Sequence, residues 1–216
     1  MDKILFIGNS YTFFNDMPKL FEALSTENGK KCEVISLTKG GRKLFSNFET
    51  EDEFAISVKN TSVNDNYSVV ILQDQSLIAI DAPDDLYKGI AYHVNAFKAE
   101  RKILYATWGR KEGSDKLEER SITSAEMTAR IAKEYASVAK RLNVEVSNVG
   151  LAFAYIKEHY PNIELYDPDK SHPSYNGSCL AALVHYRTVF GDLPQKLDSL
   201  KLDRNVISAF TEAIND

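Results

Sequence analysis

The feature that most constrains the fold is an alternation of short apolar runs with helical patterns. Five runs have the composition of buried strands, and the segments between them repeat apolar residues every three or four positions, which is the period of an α-helix. This alternation predicts a parallel sheet, because parallel neighbours must be joined by a crossover and such crossovers are right-handed. The five runs are residues 3–8, 32–37, 67–72, 102–106 and 144–149.

The helical patterns between and after these runs have recognisable ends. In the first, Asp16 is the predicted N-cap, Pro18 lies in the first turn, and Asn28-Gly29 ends the helix. The patterns over 86–97, 127–142, 176–190 and 204–214 indicate further helices. We therefore predict an α/β fold in which helices cover both faces of a five-stranded parallel sheet, in a single domain over residues 1–216.

Charge and hydropathy exclude several classes of partner. The chain has 26 basic and 31 acidic residues, which gives no basic surface for nucleic acid. No apolar run approaches the roughly 18 residues that a membrane span needs, and residues 1–3 lead into the first strand without the layout of a signal peptide. We expect a cytoplasmic protein with no membrane or nucleic-acid partner; an export signal already removed is the alternative. Cys32 and Cys179 lie far apart in apolar stretches, which predicts buried free thiols.

Three poorly patterned stretches each follow a predicted strand, at residues 38–47, 74–85 and 109–120. The carboxyl ends of parallel strands meet at one edge of a sheet, and α/β proteins bind their ligands at that edge. The sequence therefore predicts that these stretches border the functional site.

Ser10 occupies the turn after the first strand, two residues after Gly8. The glycine permits a tight bend, so Ser10 would stand at the carboxyl edge of the sheet as a candidate nucleophile. Two other interpretations remain open. Ser10 and Thr12 could satisfy backbone groups of the turn, or the turn could hold a flavin phosphate, although neither G-x-G-x-x-G nor G-x-x-x-x-G-K-[ST] occurs in the chain.

A nucleophilic serine needs a base, and the chain has four histidines. His93, His159 and His185 fall within helical patterns and are predicted to be packing or surface residues. His172 lies in a turn-rich segment, three residues after Asp169, a spacing that lets the carboxylate hold one imidazole nitrogen and leaves the other to accept a proton. The alternative is a polar turn with a capping aspartate.

These residues carry a resemblance to the SGNH (GDSL-like) hydrolase superfamily. Its members have a G-D-S block after the first strand, a glycine and an asparagine that donate to the oxyanion, and a D-x-x-H block near the C-terminus. Gly8-Asn9-Ser10 matches the first block with Asn in place of Asp, and Asp169-Lys170-Ser171-His172 matches the last. The sequences of residues 8–12, Gly-Asn-Ser-Tyr-Thr, and 72–76, Leu-Gln-Asp-Gln-Ser, are most similar to a branch of the superfamily with G-N-S-[FY]-T and L-Q-[DE]-Q-S signatures. The resemblance implies a three-layer, flavodoxin-like fold.

The resemblance also implies a mechanism. Ser10 would be the nucleophile, His172 the base and Asp169 the residue that orients it, in an esterase that forms an acyl-enzyme and requires no metal or organic cofactor. The Ser10 amide would be one oxyanion donor. Gly41 is the favoured glycine donor, with Gly40 as the alternative.

The chain departs from the family at the asparagine block, which here reads Gln73-Asp74-Gln75-Ser76. Gln75 stands where the asparagine is expected, and its amide is a competent donor on a stem one carbon longer. Gln73 is the competing candidate.

The sequence indicates a class of substrate and the residues that would contact it. Tyr11, Phe13 and Trp108 are predicted to bind it, in an apolar rim or sugar-stacking surface that also includes Phe14, Leu77 and Ile78; packing in the core is the alternative. The resemblance implies a small-molecule or carbohydrate ester with a short acyl group, most simply acetyl. A flavodoxin-like module that holds FMN and a relative that binds glycan without cleaving it are the alternatives from other classes.

Overall fold

The computed structural model describes residues 1–64 and 66–215. Its centre is a five-stranded sheet in which every neighbouring pair of strands is parallel, as the sequence predicts. The strands are β1 (Asp2–Gly8), β2 (Cys32–Thr38), β3 (Asn66–Leu72), β4 (Lys98–Tyr105) and β5 (Glu145–Ser147).

The strand order β2-β1-β3-β4-β5 fixes where a site can form. The chain passes from β1 to one side, returns to β3 on the other side, and continues outward from there. The crossovers that flank β1 therefore lie on opposite faces of the sheet and leave a crevice at its carboxyl end. Gly8 pairs with Thr38 and Ile7 with Leu72, so the strands that flank this crevice end at nearly the same level.

Helices cover both faces of the sheet, and each face has its own hydrophobic core. Along β1, Ile4 and Phe6 belong to one core, whereas Leu5 and Ile7 belong to the other, because successive side chains of a strand point to opposite faces. The helices are α1 (Ser10–Phe13), α2 (Met17–Glu27), α3 (Ser46–Glu49), α4 (Glu53–Asn64), α5 (Ile78–Asp81), α6 (Pro83–Ala96), α7 (Asp115–Glu118), α8 (Ser124–Leu142), α9 (Val149–His159), α10 (Tyr175–Phe190) and α11 (Arg204–Ala213).

The first core contains residues of α2, α9, α10 and α11, and the second contains residues of α4, α5, α6 and α8. This confirms the predicted three-layer α/β architecture. Among the residues that the structure describes, no helix combines the length and the apolar character needed to cross a membrane.

Several predicted boundaries are wrong. β4 begins four residues earlier than predicted, at Lys98, because its polar first half pairs with β3. The last predicted strand ends at Ser147, because α9 begins at Val149 and the Asn148 carbonyl already accepts hydrogen bonds from the first turn of that helix. The predicted capping role of Asp16 is also wrong: its backbone is left-handed, with φ 57°, and its side chain makes no capping hydrogen bond. An N-cap residue that accepts from the first turn is normally extended.

The predictions for cysteine and histidine are confirmed. Cys32 and Cys179 are buried free thiols. His93 and His185 are fully buried, and burial lowers their pKa values to about 4 and about 3, so both imidazoles pack as neutral groups. His159 is exposed on α9.

Candidate active site

Ser10 is the first residue of α1, at the carboxyl end of β1. Asn9 caps this one-turn helix: its Oδ1 accepts from the Tyr11 N–H at 3.1 Å, and its Nδ2 donates to the Arg42 carbonyl at 3.0 Å. The aspartate of the G-D-S block is thus replaced by a residue that also donates, and Asn9 joins the turn after β1 to the loop after β2.

The side chain of Gln73 holds the same turn in place through hydrogen bonds. Its Oε1 accepts from the Asn9 N–H at 2.8 Å and from the Thr12 hydroxyl at 2.9 Å, and its Nε2 donates to the Asp74 carbonyl. A Cβ on Gly8 would lie 2.5 Å from Gln73 Oε1, so the close approach requires glycine at this position. Gln73, the alternative oxyanion donor, is buried beneath this turn, and it is not among the residues that line the cleft described below.

The structure brings Ser10, His172 and Asp169 together. His172 Nε2 lies 2.7 Å from Ser10 Oγ, although the two residues are 162 positions apart in the chain. On the other side of the ring, His172 Nδ1 is hydrogen-bonded to Asp169 Oδ2. A proton on Nδ1, donated to the carboxylate, leaves the Nε2 lone pair facing the serine hydroxyl.

Internal hydrogen bonds hold the segment that carries Asp169 and His172 in a compact turn. Asp169 Oδ1 accepts from the backbone N–H groups of Ser171 and His172, both at 2.9 Å. Lys170 adopts a left-handed conformation with φ 61°, and the Asp167 N–H donates to the His172 carbonyl at 2.8 Å. The compact turn that the sequence predicts therefore holds the carboxylate against the ring.

Aromatic contacts fix the plane of the imidazole. Phe14 stacks on His172 with ring centroids 4.1 Å apart and planes 9° from parallel, and Tyr11 meets it edge-on at 5.5 Å. Tyr11 in turn stacks on Trp108 at 4.9 Å, and Trp108 stacks on Phe153 at 4.0 Å. These stacked rings support the His172 imidazole from the interior of the protein.

The predicted substrate contact of Trp108 is wrong. This side chain is fully buried, and its Nε1 donates to the Ser171 carbonyl at 3.1 Å, so it supports the loop that carries His172. Leu77 and Ile78 are also buried in a core, which leaves the predicted apolar rim incomplete. Phe13 is exposed beside Gly40, and Tyr11 borders the cleft described next.

A cleft of about 210 Å³ lies in front of Ser10. Gly41 borders it with a left-handed backbone, φ +67°, whereas Gly40 is outside it. Gln75 also borders it, and its Oε1 accepts from the Leu77 N–H at 3.0 Å, which leaves the amide nitrogen as the group available to donate. The cleft is lined by Asn9, Ser10, Tyr11, Gly41, Gln75, Ser76, Arg110, Ser171 and His172.

Two carboxyl groups near the site have opposite pKa shifts. Partial burial of Asp169 raises its pKa, but hydrogen bonds from the His172 side chain and from two backbone N–H groups outweigh this and lower it overall. Asp169 is therefore an anion beside the imidazole. Burial raises the pKa of Asp74, which lies behind the cleft, to about 7, against the opposing effect of two backbone hydrogen bonds.

Sequence reasoning missed Arg110 and Ser171 as residues of the cleft. In the sequence, Ser171 is one of the two unspecified positions of the D-x-x-H block, and nothing there marks it as a cleft residue. Arg110 follows Trp108-Gly109 at the start of a loop that the sequence places at the carboxyl edge, and a charged side chain at that position was the available signal.

Comparison with known proteins adds the following findings. No protein-family model and no curated protein matches the chain. A protein from Slackia heliotrinireducens assigned to the SGNH hydrolases has 28% sequence identity and a TM-score of 0.76, over 87% of this chain and 98% of that one. A DUF4886 family protein from Bacteroides uniformis has 16% identity and a TM-score of 0.77, over 99% and 93% of the two chains.

A member of a carbohydrate acetylesterase family from Sinorhizobium meliloti has 13% identity and a TM-score of 0.60, over 89% of this chain and 100% of that one. At such identities the second and third likenesses concern the fold alone. All three likenesses cover most of the chain.

Proposed function

We propose that this chain, which belongs to the SGNH hydrolase superfamily, is a serine esterase that hydrolyses short acyl esters through an acyl-enzyme. The observation that carries the proposal is the continuous contact from Ser10 Oγ to His172 Nε2, at 2.7 Å, and from His172 Nδ1 to Asp169. A nucleophile, a base and an orienting carboxylate in this arrangement are the parts that acyl transfer requires.

In the proposed first step, Ser10 Oγ attacks the ester carbonyl carbon while His172 Nε2 accepts the hydroxyl proton. Asp169 holds the ring and stabilises its cationic form. As the tetrahedral intermediate collapses, His172 gives the proton to the departing alcohol, and the acyl group stays on Ser10. A water molecule then attacks the acyl carbon, with His172 again accepting and returning the proton, and the carboxylic acid leaves.

Three groups at the cleft are proposed to donate to the oxyanion: the N–H of Ser10, the N–H of Gly41 and the Nε2 of Gln75. Each comes from the segment that follows a different strand, β1, β2 or β3. A donor of this kind is worth about 2.7–4 kcal/mol of transition-state stabilisation in enzymes where one has been removed.

The size of the cleft favours a small acyl group. About 210 Å³ accommodates an acetyl or similar group together with part of the alcohol. Phe13, on the same one-turn helix as Ser10, has an exposed ring on which a sugar could stack. A carbohydrate acetyl ester is therefore the proposed substrate, in agreement with the description of the Sinorhizobium meliloti protein.

The test is hydrolysis of p-nitrophenyl acetate and p-nitrophenyl butyrate by the wild-type protein and by Ser10→Ala. Loss of the nucleophile should lower kcat by about a thousandfold or more. Ser208→Ala, the same change on the exposed face of α11, is the matched control and should retain the wild-type rate.

Circular dichroism of all three proteins establishes that they are equally folded. Equal rates for wild type and Ser10→Ala would contradict the proposed nucleophile. No hydrolysis by either protein, with a yellow colour on purification, would instead favour a flavin-binding module.

A further inference from the structure

A cation forms part of the wall of the cleft that contains Ser10 and His172. Arg110 follows the end of β4 by five residues and borders the cleft directly. Its backbone is anchored: the Arg110 N–H contacts Met127 Sδ of α8 at 3.4 Å, and the next N–H, that of Lys111, donates to the Lys170 carbonyl at 2.9 Å. The guanidinium is therefore held at the cleft by a fixed segment.

The guanidinium is also oriented within the cleft. Arg110 Nη1 donates to Ser171 Oγ, and the Ser171 hydroxyl lies 2.8 Å from the hydroxyl of Tyr11. The guanidinium carbon lies 5.7 Å from the centre of the Tyr11 ring. These contacts place the charge beside the residue that precedes His172, on the cleft side of the stacked aromatic rings.

Arg110 differs from other partly buried arginines of the chain in having no acidic partner. Arg42, Arg101 and Arg120 each form an ion pair with a carboxylate, at distances of 2.6–2.7 Å. Within residues 1–64 and 66–215 no carboxylate lies within 4.0 Å of the Arg110 guanidinium, and its buried Nε has no hydrogen-bond partner there. Asp169, the carboxylate of the neighbouring loop, already accepts hydrogen bonds from the His172 ring and from two backbone N–H groups.

A partly buried guanidinium without an opposite charge costs free energy, because it loses water without gaining a charged partner, and the neutral Ser171 hydroxyl does not balance its charge. The cost is offset when a ligand brings the missing anion. The planar donor groups of arginine match a carboxylate in geometry, and the chain as a whole is acidic, with a net charge of −5, so this cation is a local feature of the cleft.

We propose that Arg110 forms an anion subsite of the active-site cleft and that the natural substrate is an ester carrying a carboxylate. This inference rests on the esterase function proposed above and adds the substrate class. The carboxylate belongs either to the acyl group, as in a half-ester of a dicarboxylic acid, or to the alcohol, as in an acylated hydroxy acid or uronic acid. Both place a carboxylate within a few bonds of the ester carbonyl.

Two matched pairs of substrates distinguish these sources. For the alcohol side, 4-acetoxybenzoate is compared with the neutral 4-acetoxybenzamide. For the acyl side, mono-p-nitrophenyl glutarate is compared with p-nitrophenyl 5-methylhexanoate, which has nearly the same shape. The measured quantity is the ratio of kcat/KM for the charged ester to kcat/KM for the neutral one, with spontaneous hydrolysis subtracted.

The wild-type protein should prefer the charged ester in one of the two pairs, and that pair identifies the side. Arg110→Gln should lower the ratio in that pair by about tenfold or more, since a hydrogen bond to a charged group is worth that much. Arg110→Lys should retain part of it. Arg204→Gln, which removes an exposed charge at the start of α11, is the matched control and should leave the ratio unchanged.

The proposal is overturned if the wild-type protein prefers the charged ester in neither pair, or if Arg110→Gln has the wild-type ratio in both. Binding of the same four esters to Ser10→Ala, measured by calorimetry, separates this outcome from failure of the esterase proposal. Tighter binding of a charged ester, lost in Ser10→Ala/Arg110→Gln, would support the anion subsite even if no ester is hydrolysed. Equal binding of the charged and neutral esters would count against it.

Discussion

Asp74 shows how a single buried carboxyl group organises the back of the site. Its Oδ1 accepts from the Leu44 N–H at 3.0 Å and from the Gln75 N–H at 2.7 Å. Asp74 thereby joins the loop after β2, which carries Gly41, to the segment after β3, which carries Gln75. Its Oδ2 is buried without a hydrogen-bond partner in the described part of the chain, and burial raises the pKa to about 7.

This shift predicts a pH-dependent stability. Because the folded-state pKa lies above the ordinary value of 3.8, the folded protein favours the protonated form. The contribution of that proton to the free energy of unfolding is complete below about pH 4 and is lost as the pH rises through 7. Asp74→Asn keeps the oxygen acceptor and removes the charge, so its stability should fall less between pH 5 and pH 8.

Urea unfolding of both proteins at pH 5 and at pH 8 measures this difference. Asp84→Asn, the same substitution at an exposed position of α6, is the control and should keep the wild-type pH dependence. An identical loss of stability in wild type and Asp74→Asn would mean that the group titrates outside this window.

At the scale of secondary structure, long apolar runs were predictable and short segments were not. β1 and β3 are buried on both faces, so their hydrophobic runs mark them plainly in the sequence. β5 has only three residues, and α1 is a single turn followed by two left-handed residues, Asn15 and Asp16. Contacts with the rest of the fold determine such segments, and local periodicity does not encode them.

Local periodicity also does not distinguish the positions of Gln73 and Gln75. If the strand continued past Leu72, the two side chains would point to the same face, since strand side chains alternate with a period of two. The chain leaves the strand there, and Gln73 lies beneath the turn of Ser10 while Gln75 borders the cleft. The family pattern favoured Gln75, and only the three-dimensional structure assigns each glutamine its partners.

The packing of α9 on the end of β4 provides a prediction at this scale. Gly150 lies in the first turn of α9, and a Cβ there would lie 2.1 Å from the carbonyl oxygen of Thr107. Because that oxygen belongs to the backbone, the helix must move away from the sheet. Gly150→Ala should lower the free energy of unfolding by about 1–3 kcal/mol, as overpacking does in protein cores.

The measurement is urea unfolding, with Gly40→Ala as the matched control. A Cβ on Gly40 meets nothing closer than 4.0 Å, and the residue does not have a positive φ, so its stability should stay near that of wild type. If Gly150→Ala is as stable as Gly40→Ala, the contact between α9 and β4 is looser than the structure indicates.

At the scale of the whole molecule, strand order explains why residues from both ends of the chain form one site. β1 lies between β2 and β3, so the segments that follow these strands meet in one crevice, and the loop before α10 supplies His172 to it. The alternation of strands and helices predicted the sheet and its carboxyl edge. It could not predict that Arg110 borders the same cleft, because that depends on how the loop after β4 packs against the loop of His172.

The two hydrophobic cores share one sheet, and this predicts that residues 1–216 unfold as one unit. Strands β1 and β3 each contribute side chains to both cores, so neither face can lose its packing while the other keeps an intact sheet.

Trp108, the only tryptophan, lies fully buried in one core, and its fluorescence reports that core. Far-UV circular dichroism reports the helices of both faces. In urea the two signals should change together, with the same midpoint and slope. A fluorescence change that precedes the loss of helix would instead mean that the core beneath the loop of His172 opens on its own, and the stacked rings that support His172 would then be the weakest part of the fold.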